Sequence, residues 1–267
     1  MRIKKYLYGF KIYFLNSFNY RFNTVINLIF SNIAILIEIL FWRLIYNGDM
    51  EKTLNGYTLS SIITYYFVGG IFSCFVYWSG VQYNDLIRNG LFGSMLLKPY
   101  SISAAMYFKY FAESFTGMLP QTLFILVSLP FIGQYLTWNL TPVNVTFLIL
   151  FLIISSISSH LLQSICGYAA FWLENSDGVI WSFVVFFNLV SGRFIPLDFF
   201  PKWSVSILEK MPFASWGYLP RKIYLGLFDL NQLIELTIIH SLWIVILLWI
   251  NKIIFNMGTK KYSSVGG

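Results

Sequence analysis

The chain has 267 residues, of which 57% are hydrophobic and only 11% are charged. Soluble proteins carry roughly a quarter charged residues, so this composition excludes an ordinary soluble enzyme and indicates a protein embedded in lipid. The net charge of +7 is spread along the chain and is not gathered in one domain, which argues against a nucleic-acid-binding protein.

The N-terminal residues 2–20 predict an amphipathic helix, because apolar side chains recur at steps of three and four residues with lysines between them. We expect such a helix to lie flat on the cytoplasmic surface of the membrane. The basic start is not followed by the leucine run or cleavage site of a signal peptide, so we interpret it as mature structure. The apolar positions are Ile3, Leu7, Phe10, Phe14 and Phe18.

Two apolar segments follow, residues 24–46 and 60–80, each close to the roughly 20 residues that a helix needs to cross the hydrocarbon core. Glu38 lies inside the first segment, where an acidic side chain costs roughly 2.5 to 3.5 kcal/mol. With Arg43 nearby, Glu38 is expected to face the substrate pathway or a subunit interface. Pairing with another helix for packing alone is the alternative.

Residues 82–101, which read QYNDLIRNGLFGSMLLKPYS, combine charge, glycine and proline with apolar side chains. Gly90 and Gly93 permit a tight backbone, and Pro99 ends the segment before the next helix. We predict a short helix and turn whose apolar knob, centred on Leu96, docks into a groove on a cytoplasmic partner. A plain turn between two spans is an equally good interpretation of the residues alone.

The uncharged stretch that ends at Leu173 is too long for one span. We predict two spans within it, residues 107–132 and 144–170, joined by a tight outer turn. Residues 178–194 form a shorter fifth span, and residues 233–255 form a full final one.

Small and polar residues form a stripe along the fourth predicted span. Stripes of this kind more often join helices than line a pathway, so both roles stay open. Together with Glu38, the candidate pathway or interface residues are Ser159, His160 and Gln163. The stripe consists of one row, Ser155, Ser159, Gln163 and Gly167, beside a second row, Ser156, His160 and Ser164.

The histidines and cysteines do not predict a metal or catalytic site. His160 and His240 lie on different spans, with no carboxylate at ligand spacing. Cys74 and Cys166 lie in separate apolar stretches and form no paired motif.

Residues 195–230 are too polar to cross a membrane and too apolar for an open loop. We predict short helices that lie at or dip into the outer leaflet and cap the outer mouth of the bundle, since irregular backbone at that depth must contact protein or water. The residues assigned to this extracytoplasmic gate are Phe194, Pro196, Phe200, Pro201, Pro212 and Phe213.

The positions of Lys and Arg predict the orientation. Most of them fall on the side that holds the N-terminus, which places both termini in the cytoplasm. The predicted fold class is an all-α integral protein of the plasma membrane. It has one domain over residues 1–267, six transmembrane helices, an N-terminal interface helix and short outer-leaflet helices between spans five and six.

Short motifs recur in a characteristic order along the chain: GLFGSMLLKP at 90–99, SG at 191–192, FIPL at 194–197, FPKW at 200–203, MPF at 211–213 and YLG at 224–226. In this order and spacing, and with the predicted spans around them, they resemble the permease subunits of ABC-2 type ABC transporters, in particular the short bacterial six-span group. The resemblance covers nearly the whole chain.

The resemblance implies a permease that pairs with a second permease subunit, identical or homologous, and with a dimer of cytoplasmic ABC ATPase subunits, usually for export. The sequence has no GxxxxGK[ST] phosphate-binding loop, so ATP and Mg²⁺ are expected on the partner ATPase, with no cofactor on this chain. The chain itself is then not an enzyme, and its partners are membrane lipid and these subunits, not nucleic acid.

The acidic loop at Glu174 and Asp177, best interpreted as a solvated face, is a second candidate ATPase contact. The residues assigned to ATPase coupling are Asp85, Arg88, Leu91, Met95, Leu96, Leu97, Lys98 and Pro99.

The predicted function is export of an amphipathic or hydrophobic substrate, and two other classes are alternatives. A self-contained secondary transporter coupled to an ion gradient would need several buried ionisable residues and usually an internal repeat, and Glu38 alone is thin support. An intramembrane enzyme would need His, Asp or Glu clustered at helical spacing, which the sequence lacks.

Overall fold

The computed structural model describes residues 2–17, 21–76, 78–173 and 176–262, and within them the chain is helical apart from one minimal β-hairpin and the connecting turns. The elements in chain order are α1 (Arg2–Ser17), α2 (Arg21–Ile45), β1 (Thr53–Leu54), β2 (Tyr57–Thr58), α3 (Leu59–Ser73), α4 (Gly80–Arg88), α5 (Leu91–Leu96), α6 (Ile102–Ile132), α7 (Pro142–Gly167), α8 (Asp177–Val190), α9 (Lys202–Leu208), α10 (Tyr218–Tyr224) and α11 (Leu230–Lys261).

Local sequence fixes where four of these helices begin. The residue before α3, α6, α7 and α11 is a Ser, Thr or Asp whose side-chain oxygen accepts a hydrogen bond from the backbone N–H three residues later. Caps of this type contribute about 1 kcal/mol each. Pro142 occupies the first position of α7, where a missing N–H is tolerated. The capping residues are Thr58, Ser101, Thr141 and Asp229.

Three helices in the described part of the chain are long and apolar enough to cross a membrane: Ile102–Tyr135, Pro142–Phe171 and Leu230–Lys261. Two shorter apolar helices, α3 and α8, accompany them. The prediction of an all-α membrane protein is therefore confirmed.

The segments 82–101 and 195–230 lie at opposite ends of α6. Ser101 begins this helix, which at 31 residues is about 46 Å long. Just beyond its other end, the backbone N–H of Thr137 donates to Thr64 Oγ1 over 2.9 Å, and the Asn139 side chain donates to the carbonyl of Leu225 over 3.1 Å. The final helix, α11, runs back from the 195–230 end to the 82–101 end.

The segment predicted as one span, residues 60–80, is divided in the structure. α3 ends at Ser73, a turn follows, and α4 begins at Gly80 and packs against the end of α7. This approach requires glycine, because a Cβ on Gly167 would stand 2.6 Å from the carbonyl oxygen of Gly80 and 2.5 Å from Tyr83 Cβ. The first turns of the 82–101 segment are thus inside the bundle, with Tyr83 fully buried.

The helix α1 packs along the first turns of α6. The rings of Tyr6 and Phe108 stack with centroids 5.5 Å apart, and the Tyr6 hydroxyl accepts a hydrogen bond from the backbone N–H of Ser101 over 3.0 Å. Leu7, which the periodicity assigns to the apolar face, is exposed, so it stays available for the predicted contact with the membrane surface. Residues 18–20 of the predicted helix lie outside the described residues.

Candidate functional site

An ion pair and two hydrogen bonds tie α4 to the start of α8. The Arg88 guanidinium lies 3.0 Å from the Asp177 carboxylate, and the Asn84 amide donates to the same carboxylate over 2.6 Å. The Ser176 hydroxyl in turn donates to the Asn84 side-chain oxygen. The Arg88 and Asp177 side chains are 39% and 48% exposed, so the ion pair itself contributes little and the buried Asn84 fixes the geometry. The sequence did not predict this pairing.

One face of α5 is anchored on an aromatic cluster. The helix begins at Gly90, whose φ of 72° lies in the left-handed region that glycine adopts without strain. Phe92 is fully buried, with its ring centroid 5.4 Å from that of Phe171 and 5.8 Å from that of Tyr262. The backbone N–H of Gly93 also donates to the Tyr262 hydroxyl over 3.3 Å.

The other face of α5 and the turn after it are exposed. Among the predicted coupling residues, Met95 is half-buried, and Leu97 is 88% exposed although it is apolar. Leu91 and Leu96 are exposed as well, so three apolar side chains lie exposed within seven residues at this end of the bundle. The exposed members of the predicted set are Asp85, Arg88, Leu91, Leu96, Leu97, Lys98 and Pro99.

At the opposite end, Asp198 joins the β-hairpin to α10. Its carboxylate accepts hydrogen bonds from the hydroxyls of Tyr57 over 2.6 Å and Tyr218 over 2.9 Å, and it pairs with the Lys222 ammonium over 2.9 Å. Burial, followed by the negative charge of Asp198, raises the pKa of both tyrosines, so both phenols stay protonated and donate. The Lys222 and Asp198 side chains are only 15% and 20% exposed, so removal of one partner would leave a largely buried charge, which costs more than breaking the exposed Arg88 pair.

A second set of contacts holds the turn after α8. The Tyr65 hydroxyl donates to the carbonyl of Gly192, and the Tyr66 hydroxyl donates to the carbonyl of Phe194 over 2.7 Å. The Arg221 guanidinium donates to the Gly192 carbonyl over 3.4 Å. Gly192 itself has a φ of 74°, so the turn needs glycine at this position.

The predicted gate residues belong to this region but differ in exposure. Pro196 and Pro212 are buried, Phe200 and Phe213 are half-buried, and the remaining two are exposed. The exposed residues are Phe194 and Pro201.

Arg221 is the most deeply buried cation among the described residues, at 4% exposure. Its guanidinium carbon lies 4.9 Å from the centroid of the Tyr65 ring, a cation–π contact. It also lies directly against Gly69, where a Cβ would stand 2.2 Å from Nε. Within the described part of the chain no carboxylate forms a salt bridge with Arg221.

The expected neighbour of Glu38 was Arg43, and the structure corrects this. The cations within electrostatic range of the Glu38 carboxylate are Arg221 and Arg193, whereas Arg43 is exposed. Residues five apart on an α-helix point about 140° away from each other, so proximity in sequence did not place these two side chains together. Glu38 therefore lies within electrostatic range of two cations at the 195–230 end.

Comparison with protein families settles the class of protein. A family described as ABC-2 family transporter protein matches residues 32–266, which is well over half of the chain. The chain belongs to this family. No curated protein and no solved structure matches it. The resemblance seen in the motifs is confirmed, and the match includes both the 82–101 and the 195–230 segments of this ABC-2 permease.

Membership of the ABC-2 family makes the chain a transport component of the membrane and not itself a catalytic subunit. It does not favour the self-contained ion-coupled transporter considered from the sequence. In the described residues, no group of three or more His, Cys, Asp or Glu side chains could hold a metal ion.

The polar stripe of this ABC-2 permease lies in contacts between helices. The Ser155 hydroxyl donates to the Ser215 carbonyl, and Asn251 of α11 donates to the Ser164 hydroxyl. The backbone and side-chain oxygens of Gln163 would each be 3.1 Å from a Cβ on Gly80. The stripe therefore packs against α4, α11 and the 3₁₀ turn that contains Ser215.

The four candidate pathway or interface residues do not form one site. Ser159 donates within α7 to the carbonyl of Ser156, and His160 Nε2 lies 3.3 Å from the hydroxyl of Ser103 on α6. Glu38 is on α2, in the electrostatic environment of Arg221.

Sequence reasoning did not single out Asp198 or Arg221. One signal for Asp198 was available, since it is the only acidic residue between Gly178 and Leu208. No local pattern marks Arg221, because its role depends on contacts with α3.

Proposed function

We propose that this ABC-2 permease is the membrane subunit of an ATP-driven exporter in a bacterial plasma membrane. It forms the pathway for an amphipathic or hydrophobic substrate, together with a second permease subunit, identical or homologous. A dimer of separate cytoplasmic ATPase subunits, which bind ATP and Mg²⁺, supplies the energy. One observation carries the proposal. The leucines on one face of α5 are exposed, while Phe92 on its other face is buried in the bundle and holds the helix in place.

Six crossings fit the path of the chain. α2, α6, α7 and α11 each have 25 residues or more, or about 37 Å. α3 and α4 together provide the second crossing. α8 is only 14 residues long but runs from Asp177, beside Arg88, to the turn at Gly192, beside Tyr65.

The proposed orientation places the 82–101 end in the cytoplasm and segment 195–230 outside. Tyr6 contacts Ser101 and Tyr262 contacts Gly93, so both ends of the described chain lie beside the 82–101 segment. Six crossings require the two termini to share a side, and the positive-inside rule favours the cytoplasm for that side.

The 195–230 segment fits the proposed re-entrant gate. Tyr65, which holds the turn at Gly192, lies six residues and about 9 Å into α3, and this supports a segment that dips below the outer end of the bundle. The side-chain contacts of Asp198 and Arg221 hold the segment in place at this end of the bundle. A conformational change that opens the gate would have to break these contacts.

The packing suggests how ATP-driven motion would reach the spans. A push on α5 would move Phe92, whose ring centroid lies 6.0 Å from that of Phe255 on α11 and 5.4 Å from that of Phe171 after α7. Closely packed rings transmit displacement instead of absorbing it. Tilting of α7 and α11 would then alter the contacts that hold the 195–230 segment at the far end.

Replacement of Leu96 and Leu97 by Asp tests the coupling assignment. The charged double variant is expected to lose association with the proposed partner ATPase, because two exposed apolar contacts are replaced by carboxylates. Co-purification of the ATPase on the tagged permease measures this loss.

The matched control is Leu227→Asp, the same change at an exposed leucine near the opposite end. Both variants should reach the membrane, and only the Leu96 and Leu97 variant should lose the ATPase. Undiminished association would remove the coupling assignment.

A further inference from the structure

A groove of about 760 Å³ lies between α5, α6, α7 and α11, at the 82–101 end of the bundle. Its walls are mainly apolar and include Met95 of α5, Ile157 of α7 and Leu248 of α11. The volume falls in the range of sites that hold small molecules, roughly 300 to 1,000 Å³. The groove therefore has the room and the surface to hold a hydrocarbon chain.

The charged and polar side chains of the groove indicate which kind of apolar molecule would fit in it. In the described part of the chain its lining includes one cation, Lys252, and no acidic side chain. Two polar side chains also line the groove: Asn251, next to Lys252 on α11, and Ser103, across the groove on α6. The Nδ1 atom of the buried His160, which also lines the groove, has no hydrogen-bond partner among the described residues. The occupant that fits carries an anionic, hydrogen-bonding head on an apolar chain.

Lys252 lies near the cytoplasmic end of the last predicted span, where lipid headgroups are expected. It lies on α11 only three residues before the end of the last predicted span, residues 233–255, with its side chain exposed. Basic side chains near the ends of spans reach the interface where lipid phosphates lie. Leu248, one turn earlier on the same helix, is also exposed, so the groove opens towards the membrane.

We propose that this groove binds one anionic membrane phospholipid. Its phosphate pairs with Lys252, and an acyl chain lies against Ile157, Leu248 and Met95. Because Met95 belongs to α5, the bound lipid fills the space between the last helix and the segment proposed to contact the ATPase. The lipid site follows from the groove alone and does not depend on the proposed export function.

Lipid titration of the purified permease tests the charge of the site. Native mass spectrometry is used to count dioleoyl phosphatidylglycerol and dioleoyl phosphatidylcholine bound to the detergent-solubilised chain. One saturable site with about fivefold preference for phosphatidylglycerol is expected, the effect of one basic residue near an anionic headgroup. Lys252→Gln should abolish this preference, whereas Lys261→Gln, the same change about two and a half turns along α11, should retain it.

A second pair of variants tests the acyl-chain position. Ile157→Trp fills the groove and should reduce the binding of both lipids, whereas Ile153→Trp, one turn earlier on an exposed face of α7, should leave it unchanged. Equal binding of the two lipids by the wild-type chain would overturn the proposal, as would equal losses in Lys252→Gln and Lys261→Gln. Failure of ATPase association would leave all these outcomes unaffected, so the two proposals fail separately.

Discussion

At the scale of single residues, the 195–230 end of the permease depends most on Asp198. Its carboxylate accepts hydrogen bonds from two tyrosines and pairs with Lys222, so one side chain links β2, α10 and the segment that carries it. Loss of its charge leaves the partly buried Lys222 without an ion pair, which costs more than the loss of an exposed pair.

Asp198→Asn is therefore expected to destabilise the permease by about 2 kcal/mol, through weaker hydrogen bonds and an unpaired ammonium. For a chain of this size that corresponds to a fall in Tm of about 5 °C. Thermal unfolding in a single detergent measures it. Glu51→Gln, the same acid-to-amide change at an exposed position near β1, should leave Tm unchanged, and an equal shift in both variants would contradict the role assigned to Asp198.

The exposure of some residues could be predicted from the sequence, whereas their contacts with distant residues could not. The residue types at the 82–101 end predicted an apolar knob at Met95, Leu96 and Leu97, of which Leu96 and Leu97 are exposed and Met95 is half-buried. The ion-pair partner of Asp177 and the cation that acts on Glu38 could not be predicted, because Arg88 and Arg221 lie far from them in sequence and are brought closer only by packing.

At the scale of elements, the contact between α4 and α7 decides how the chain continues after α3. The residues between α3 and α4, CFVYWS, contain no proline, glycine or charge, so the sequence predicts one continuous span over 60–80. The turn is set by tertiary contacts instead. Val76 is buried beside Trp216, and the rings of Trp78 and Trp216 meet with centroids 6.3 Å apart.

Gly167→Ala tests this contact with a single added methyl group. The new Cβ would stand 2.5 Å from Tyr83 Cβ, which neither backbone can accommodate without moving, so a loss of about 1 to 3 kcal/mol is expected. Thermal unfolding gives the change in stability.

Gly117→Ala is the matched control, since nothing lies within 4 Å of a Cβ at that position in α6. Alanine is favoured over glycine by roughly 0.5 to 1 kcal/mol inside a helix, so this variant should be as stable as the wild type or more stable. Equal stability of the two variants would show that α4 does not pack as closely on α7 as described.

At the scale of the whole molecule, the sequence predicted the all-α membrane class and the family, because both follow from composition and from motifs in order along the chain. The individual spans are harder to predict, since α8 is short and the predicted span 60–80 is divided, so neither has the length of a continuous span. The placement of 82–101 and 195–230 at opposite ends of α6 is the feature on which the transport proposal depends.

Labelling of two single-cysteine variants with a membrane-impermeant maleimide tests that proposal most directly. In a background with Cys74 and Cys166 replaced by alanine, Leu97→Cys should react only after the cells are permeabilised, and co-expression of the ATPase should protect it. Leu227→Cys should react in intact cells whether or not the ATPase is present. Labelling of Leu97→Cys in intact cells, or equal labelling with and without the ATPase, would contradict the account.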